Sequence, residues 1–404
     1  MKVLLISGEY PPHMFGGGAT FMYHLSKGLV NKGTEVTVVA MKFSKSLSRE
    51  VSVDVLDSRL KVLRVSVPVF LYPRHEIFQV VAKLLISKLI KEHDVVHMNT
   101  GLYYPFLRDV IKSSRKPTVV TIHGDPILIY KPLLNLCFSP IELLYGLLHM
   151  SERHASLKKE LGELFPVFVS KSLYETMKSK YEITNYSIIY NGLNFNYIDK
   201  VINSNPKTDF YRMVMNMKEC GYKILVYPAR LHPIKNHFTL IRILRLLINR
   251  YNFKVLLILI GDGISKASII NQTHKMNVSK YILMTGKLHY EDTLKILALA
   301  DVVPFVSLYE AHPLSMVEAL YLGKPIVSFS LPYAREIRAL VPKGIIITSS
   351  LKEFAEAIAN TLNFSETNNL TYRKTLVKEI QRTFNEKSMV RRYLDLYEKL
   401  ITKG

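Results

Sequence analysis

The 404-residue sequence predicts an α/β protein made of two parallel-sheet domains. Three observations carry this. Short apolar runs suited to buried strands alternate with helical stretches, as in parallel α/β folds. The alternation breaks once near the middle of the chain and then restarts. The length accommodates two domains with full hydrophobic cores, since domains run to about 100–200 residues. With 48% hydrophobic and 22% charged residues, 18 Gly and 18 Pro, the composition excludes a chain dominated by disorder or fibrous repeats.

The elements follow in order. MKVLLIS reads as a strand buried on both faces, and EYPPHMFGGG as the loop after it. ATFMYHLSKGLVNKG carries Phe21, Leu25 and Leu29 at fourfold spacing, with Gly33 as a stop before the strand EVTVVAM. The βαβ pattern recurs in QVVAKLLISKLIKEH then DVVHMN, and in a helical stretch from Tyr104 to Ser114 then PTVVTIHG, before PVFVS and YSIIYNG. The chain turns polar between Asn191 and Lys223, so the domain boundary is expected near residue 203, giving domains 1–202 and 203–380. Strand and helix signals then restart at KILVYPAR and continue to GIIITSS. In the tail 381–404, Met389, Tyr393, Leu396, Tyr397 and Leu400 form one apolar helical stripe that must pack on something already folded. The most apolar region, Pro126 to Met150, is interrupted by Lys131, Glu142 and three prolines, so no membrane-spanning helix is expected. Within it, Ser139, Pro140 and Glu142 open a helix over IELLYGLLHM, read as a core or interdomain helix in preference to one that meets lipid.

Charge and cysteine content bound the partners. Lys and Arg number 54 against 33 Asp and Glu, a net +21, which favours phosphate-bearing partners or an anionic membrane surface. A nucleic-acid-binding protein is the rival from another class. Against it, the excess is spread, +8 over residues 1–200 and +13 over 201–404, so no nucleic acid partner is expected. Cys137 and Cys220 cannot build a disulfide framework, and no signal segment precedes the first strand; a cytoplasmic setting is expected, with peripheral contact at the cytoplasmic membrane face.

Four groups of residues can carry chemistry. Gly16, Gly17 and Gly18 lie between the first strand and first helix, where backbone amides and the helix dipole favour an anion; GGG lacks the G-x-G-x-x-G spacing of a dinucleotide site. Arg230 and Lys235 follow a strand directly, and both can converge on a diphosphate there. In SLYEAHPLSMVEALYLGKP, Pro313 suits the first helical position, so the amides of Leu314 and Ser315 point out of the helix start. Glu310 and Glu318, eight positions apart, can approach one pocket from loop and helix, which fits a ligand both phosphorylated and rich in hydroxyls, such as a nucleotide sugar. His123 ends an apolar strand and is equally a structural or a functional histidine, whereas His97 reads as structural. No D-x-D pair and no His-Cys cluster with ligand spacing occurs, so neither metal nor cofactor is expected.

These residues resemble the retaining glycosyltransferases of family 4. The likeness runs nearly end to end, through EYPPHMFGGGA, VVTIHG, VFVSKS, IIYNGLNF, PARLHPIKN, LIGDG, MTGKL and EAHPLSMVEALYLGKPIVS. It implies the GT-B architecture, two Rossmann-like domains facing across a cleft with the last helix crossing back to the N-terminal domain. By the resemblance Arg230 and Lys235 clamp the donor diphosphate, Glu318 holds the ribose, Glu310 contacts the donor sugar, and Leu314 and Ser315 supply amides. Gly16 and Gly17 approach diphosphate and acceptor, Lys287 and Leu288 lie against the base, and His123 faces the sugar. Ala311 and His312 stand where the family has glycine and an aromatic or apolar residue. The implied activity is metal-free transfer, with retention, from a nucleotide-diphosphate sugar to a hydroxyl of a glycan, lipid-linked or small-molecule acceptor. A sugar-nucleotide epimerase on the same architecture is the rival within enzymes.

Overall fold

The computed structural model describes residues 1–12, 17–45, 50–68, 74–99, 104–125, 128, 155, 157–159, 161–206, 208–363 and 370–403. The chain divides into two compact units, one of Met1–Gly192 with Glu386–Gly404, the other of Leu193–Asn385.

The first unit is built on an eight-stranded sheet. Its strands are β1 (Lys2–Ser7), β2 (Glu35–Ser44), β3 (Val51–Asp57), β4 (Leu60–Pro68), β5 (Val95–Met98), β6 (Thr118–Ile122), β7 (Phe165–Phe168) and β8 (Ser187–Ile188). They lie in the order β3-β4-β2-β1-β5-β6-β7-β8, all parallel except the β3–β4 hairpin. β1 is central, and five of its six residues are buried, as a strand covered on both faces requires. The helix Gly17–Asn31 turns Phe21, Met22, Leu25 and Leu29 into the core. The terminal helix Glu386–Ile401 adds Met389, Val390, Tyr393, Leu396 and Tyr397 to the same cluster, and Leu400 packs at its margin.

In the second unit the strands are β9 (Lys223–Pro228), β10 (Val255–Ile260), β11 (Ile282–Gly286), β12 (Val303–Phe305), β13 (Ile326–Phe329) and β14 (Ile345–Thr348). They form two parallel three-stranded sheets, β11-β10-β9 and β12-β13-β14, which a Leu225–Val302 bridge joins. Counted within the unit, the order is 3-2-1-4-5-6, that of a doubly wound nucleotide-binding sheet. The direction of winding reverses between β9 and β12, and ligands of such sheets bind outside the carboxyl ends of the strands at that reversal.

Four features differ from the sequence reading. The units divide at Gly192, not near 203, because the helix Phe195–Ile202 buries Phe195, Ile198 and Val201 in the second unit, with Phe195 against Tyr321 at 4.5 Å between ring centroids. The return to the first unit begins at Glu386, and the helix Leu370–Thr383 stays with the second. The hairpin β3–β4 lies where the sequence predicts no element, and no residue of its strand β3 is buried. The helix expected from Tyr104 begins at Arg108, since Leu107 and Arg108 first donate their amides to the Tyr104 carbonyl in a turn. Most of Pro126–Met150, including the expected helix over IELLYGLLHM, and Gly16 lie outside the described residues. Among the described residues no helix is long and apolar enough to cross a membrane.

Candidate active site

In the second unit the predicted residues gather on the two loops that leave β9 and β12. The loops are tied together: the Leu308 amide donates to the Ile234 carbonyl at 2.8 Å, and the Asn236 side-chain amide to the Val306 carbonyl at 3.2 Å. Lys235, on the first loop, is ion-paired with Glu310 on the second, and both side chains are largely buried. The Ser307 hydroxyl also donates to Glu310, at 2.8 Å, and Tyr227 stands 2.8 Å from Ser307 Oγ and 2.9 Å from the Lys235 carbonyl oxygen. With the Ser307 proton committed to the carboxylate, Tyr227 is left to donate to Ser307 or to that carbonyl. The Tyr333 hydroxyl reaches the Ser307 carbonyl at 3.4 Å. Burial, and then the Glu310 charge, raises the pKa of both tyrosines, so they remain neutral donors.

Arg230 is exposed and forms no ion pair among the described residues. Its loop is fixed by backbone contact. The Ala229 amide donates to the Ile260 carbonyl at 2.9 Å and the Leu231 amide to the Asp262 carbonyl at 3.1 Å. Gly261 and Gly263 permit this approach: a Cβ on either would meet the Ala229 or the Leu231 carbonyl oxygen at 2.3 and 2.4 Å, respectively, and both have positive φ. Burial lowers the pKa of His232, and the charges of Arg230 and Lys235 lower it further.

Glu318 is drawn into the interior by the helix Leu314–Tyr321, whose residues from Met316 onward are all buried. A buried carboxylate needs a donor, and the Tyr290 hydroxyl supplies one at 2.8 Å. Burial and the Glu318 charge raise the Tyr290 pKa, so the phenol keeps its proton. Pro313 is the residue before the helix and not its first turn, and Leu314 and Ser315 open the helix half-buried. Lys287 is exposed and Leu288 half-buried, immediately after β11. Glu310 and Glu318 thus have separate partners, a cation for one and a phenol for the other. Ala311 and His312 are buried; the His312 ring packs on Phe384 at 5.2 Å, and burial lowers its pKa to about 4, so at neutral pH it is an uncharged ring in an apolar place.

In the first unit, His123 follows β6 and its Nε2 lies 2.6 Å from Asn99 Oδ1. Asn99 Nδ2 donates to the Gly18 carbonyl at 3.0 Å and toward Ser7 Oγ at 3.4 Å. A carbonyl only accepts, so it fixes the amide orientation and puts the imidazole proton on Nε2. Asn99 therefore joins the glycine loop to His123, with Gly17 as the first residue of the helix. His97 is fully buried, between Tyr397 at Nδ1 and Thr121 at Nε2, and burial lowers its pKa to about 3; it is structural. Residues that the sequence reading missed are Asn99, Ser307, Tyr227 and Tyr290. Only Asn99, directly after the DVVHM strand, had a positional signal. Among the described residues no cluster of three or more His, Cys, Asp or Glu is placed to hold a metal ion.

Two Rossmann-like α/β domains, each with polar residues at the reversal of its sheet, define the GT-B class of fold. Sucrose-phosphate synthase from Thermosynechococcus elongatus is similar in structure, with a TM-score of 0.76 at 15% identity over 100% of both chains. Anabaena HepE, solved with UDP and glucose, has a TM-score of 0.72 at 16% identity, covering 99% of this chain and 100% of its own. An uncharacterized glycosyltransferase of Methanocaldococcus jannaschii is 25% identical over 344 residues, 83% of this chain and 82% of that protein. The family model for Glycosyltransferase Family 4 matches residues 15–197, and that for Glycosyl transferases group 1 matches 216–376. The chain is a glycosyltransferase, with one of these two family models matching each half.

Proposed function

We propose that the chain transfers a sugar from a nucleotide-diphosphate donor to a hydroxyl of a glycan, lipid-linked or small-molecule acceptor, with retention at the anomeric carbon and without an obligatory metal or cofactor. The observation that carries this reading is the Lys235–Glu310 pair at the reversal of the second sheet, beside Arg230 and ahead of the helix that holds Glu318. Arg230 and Lys235 neutralise the charge that develops on the leaving diphosphate, the electrostatic work a metal ion does elsewhere. Glu310 then serves two partners in turn, holding Lys235 in place and accepting from donor-sugar hydroxyls. Glu318 accepts from the ribose, Leu314 and Ser315 offer amides to phosphate, and the backbone at Lys287 and Leu288 borders the base. His123, Gly16 and Gly17 belong to the acceptor-side unit. HepE, with its UDP, supports UDP sugars as the first donors to test.

The test is a calorimetric panel of UDP, GDP and ADP sugars, then mass spectrometry and anomeric analysis of products on lipid-linked and soluble acceptors, with and without EDTA. Arg230→Ala and Lys235→Ala are each expected to lower kcat/KM by about tenfold or more, roughly 1.4 kcal/mol of transition-state stabilisation. Near-normal turnover in both variants would remove the phosphate clamp, and an inverted product would remove retention.

A further inference from the structure

A cavity of about 280 Å³ lies in the first unit, bounded by the helix Arg108–Ser114, by Met98 at the end of β5, and by residues just ahead of β6 and β7. It has room for one small molecule, since a water's share of liquid volume is about 30 Å³. Its walls combine two chemistries. Met98, Ile111 and Leu164 are apolar, and Arg108, Lys112, Arg115 and Lys116 are cations facing a single carboxylate, Glu163.

That carboxylate is already taken. Arg108 grips Glu163 through two hydrogen bonds, at 2.9 and 2.5 Å, and Lys112 stands 3.4 Å from the same group. Neither Arg115 nor Lys116 forms an ion pair among the described residues. Like charges around one concavity repel, and a bound anion offsets this. The backbone sharpens the point. Arg115 caps its helix with φ 54°, a conformation that suits glycine or asparagine, and the other described non-glycine residues with positive φ are all Asn. The backbone there favours glycine or asparagine, and the residue that stands in their place is an arginine that lines the cavity.

The charged end of this cavity stands apart from the transfer site, although Met98 in its wall directly precedes Asn99. Lys116 and Thr118 stand at the amino end of β6, whereas His123 follows its carboxyl end. The five-residue strand between them spans about 15 Å at roughly 3.3 Å per residue. The cavity shares no residue with the proposed reaction site.

We infer that this cavity binds a phosphate group carried on a small, partly apolar body, with Arg115 and Lys116 holding the phosphate and Met98, Ile111 and Leu164 the body. Such a group comes from a free phosphate ester or from a phospholipid headgroup, and two arms distinguish the sources. In one, the full chain is titrated calorimetrically with glycerol 3-phosphate at low salt. In the other, its flotation with phosphatidic acid vesicles is compared with phosphatidylcholine vesicles. The double variant Arg115→Gly, Lys116→Ser removes both charges, and glycine suits the positive φ, so its fold is retained; a thermal melt and donor hydrolysis serve as controls. Binding in either arm that weakens at least about tenfold in the double variant, with kcat/KM unchanged, is the expected result. No binding in either arm up to millimolar probe, or equal binding by the double variant, overturns the inference.

Discussion

Ser307 is the last residue before the second loop of the site turns outward, and its hydroxyl proton decides how Glu310 is held. With Lys235 on one side and Ser307 on the other, the carboxylate has two fixed donors within its own unit. Ser307→Ala removes the donor that is not itself assigned to substrate, and leaves Tyr227 without its side-chain partner. A loss of about tenfold or more in kcat with little change in donor affinity is expected, on the scale of about 1.5 kcal/mol for a single buried hydrogen bond to a charged group. Donor titration and steady-state kinetics of the one variant separate the two quantities, and unchanged kcat would leave Ser307 a purely structural residue. His97 makes a different prediction at this scale. Its folded pKa of about 3 lies below the ordinary 6.5, so the unfolded chain takes up the proton first as pH falls. Stability of the first unit is therefore full above about pH 6.5 and is lost as pH falls from there toward 3, by about 1.4 kcal/mol per pH unit from this one group. Denaturant unfolding of wild type and His97→Gln at pH 5 and 6 should differ in slope by that amount, and equal slopes would show that His97 is not the group responsible.

At the level of elements, Gly28 fixes how closely two helices approach. A Cβ built on it would lie 2.3 Å from Val390 Cγ2, so the helix Gly17–Asn31 meets the helix Glu386–Ile401 only because position 28 has no side chain. Gly28→Ala forces the pair apart and is expected to cost the first unit about 1–3 kcal/mol, the usual range for overpacking. Val390→Ala on the same background should return most of it, and additive losses in that cycle would rule out the contact as the cause. Nothing in the sequence predicts this contact, because the partners lie far apart in the chain and glycine inside a helix reads only as a weak position. The elements themselves were legible wherever burial on both faces leaves a continuous apolar run, as in β1, β9 and β10. They were less so where no residue of the element is buried, as in the edge strand β3, whose valines at 51, 53 and 55 are exposed. Residues of the site that stand beside glycine or proline were legible for the same kind of reason, since a loop at a strand's carboxyl end announces itself. Their supporting partners were not: Tyr227 lies within an apolar strand and Tyr290 opens an ordinary helix, and both act only through a residue brought near by the fold.

The whole molecule is a chain that begins and ends in the same unit. The terminal helix brings Met389, Val390, Tyr393 and Tyr397 to the first unit's core, all nearly fully buried. At about 1.5–3 kcal/mol for each buried side chain, the four contribute roughly 6–12 kcal/mol as an upper estimate. That is as large as the entire stability of a typical domain, about 5–15 kcal/mol. The second unit needs no such return. Its ends, Leu193 and Asn385, are paired in a bridge, and the Leu193 amide donates to the Phe384 carbonyl at 2.7 Å. Residues 1–192 expressed alone are therefore expected to be molten or insoluble, while 193–385 expressed alone melts cooperatively and binds the donor nucleotide. Supplying 386–404 as a peptide should restore a cooperative melt to 1–192 by refilling the face that Tyr393 and Tyr397 occupy. A cooperative, soluble 1–192 fragment whose melt the peptide leaves unchanged would mean that the terminal helix seals a core already complete without it.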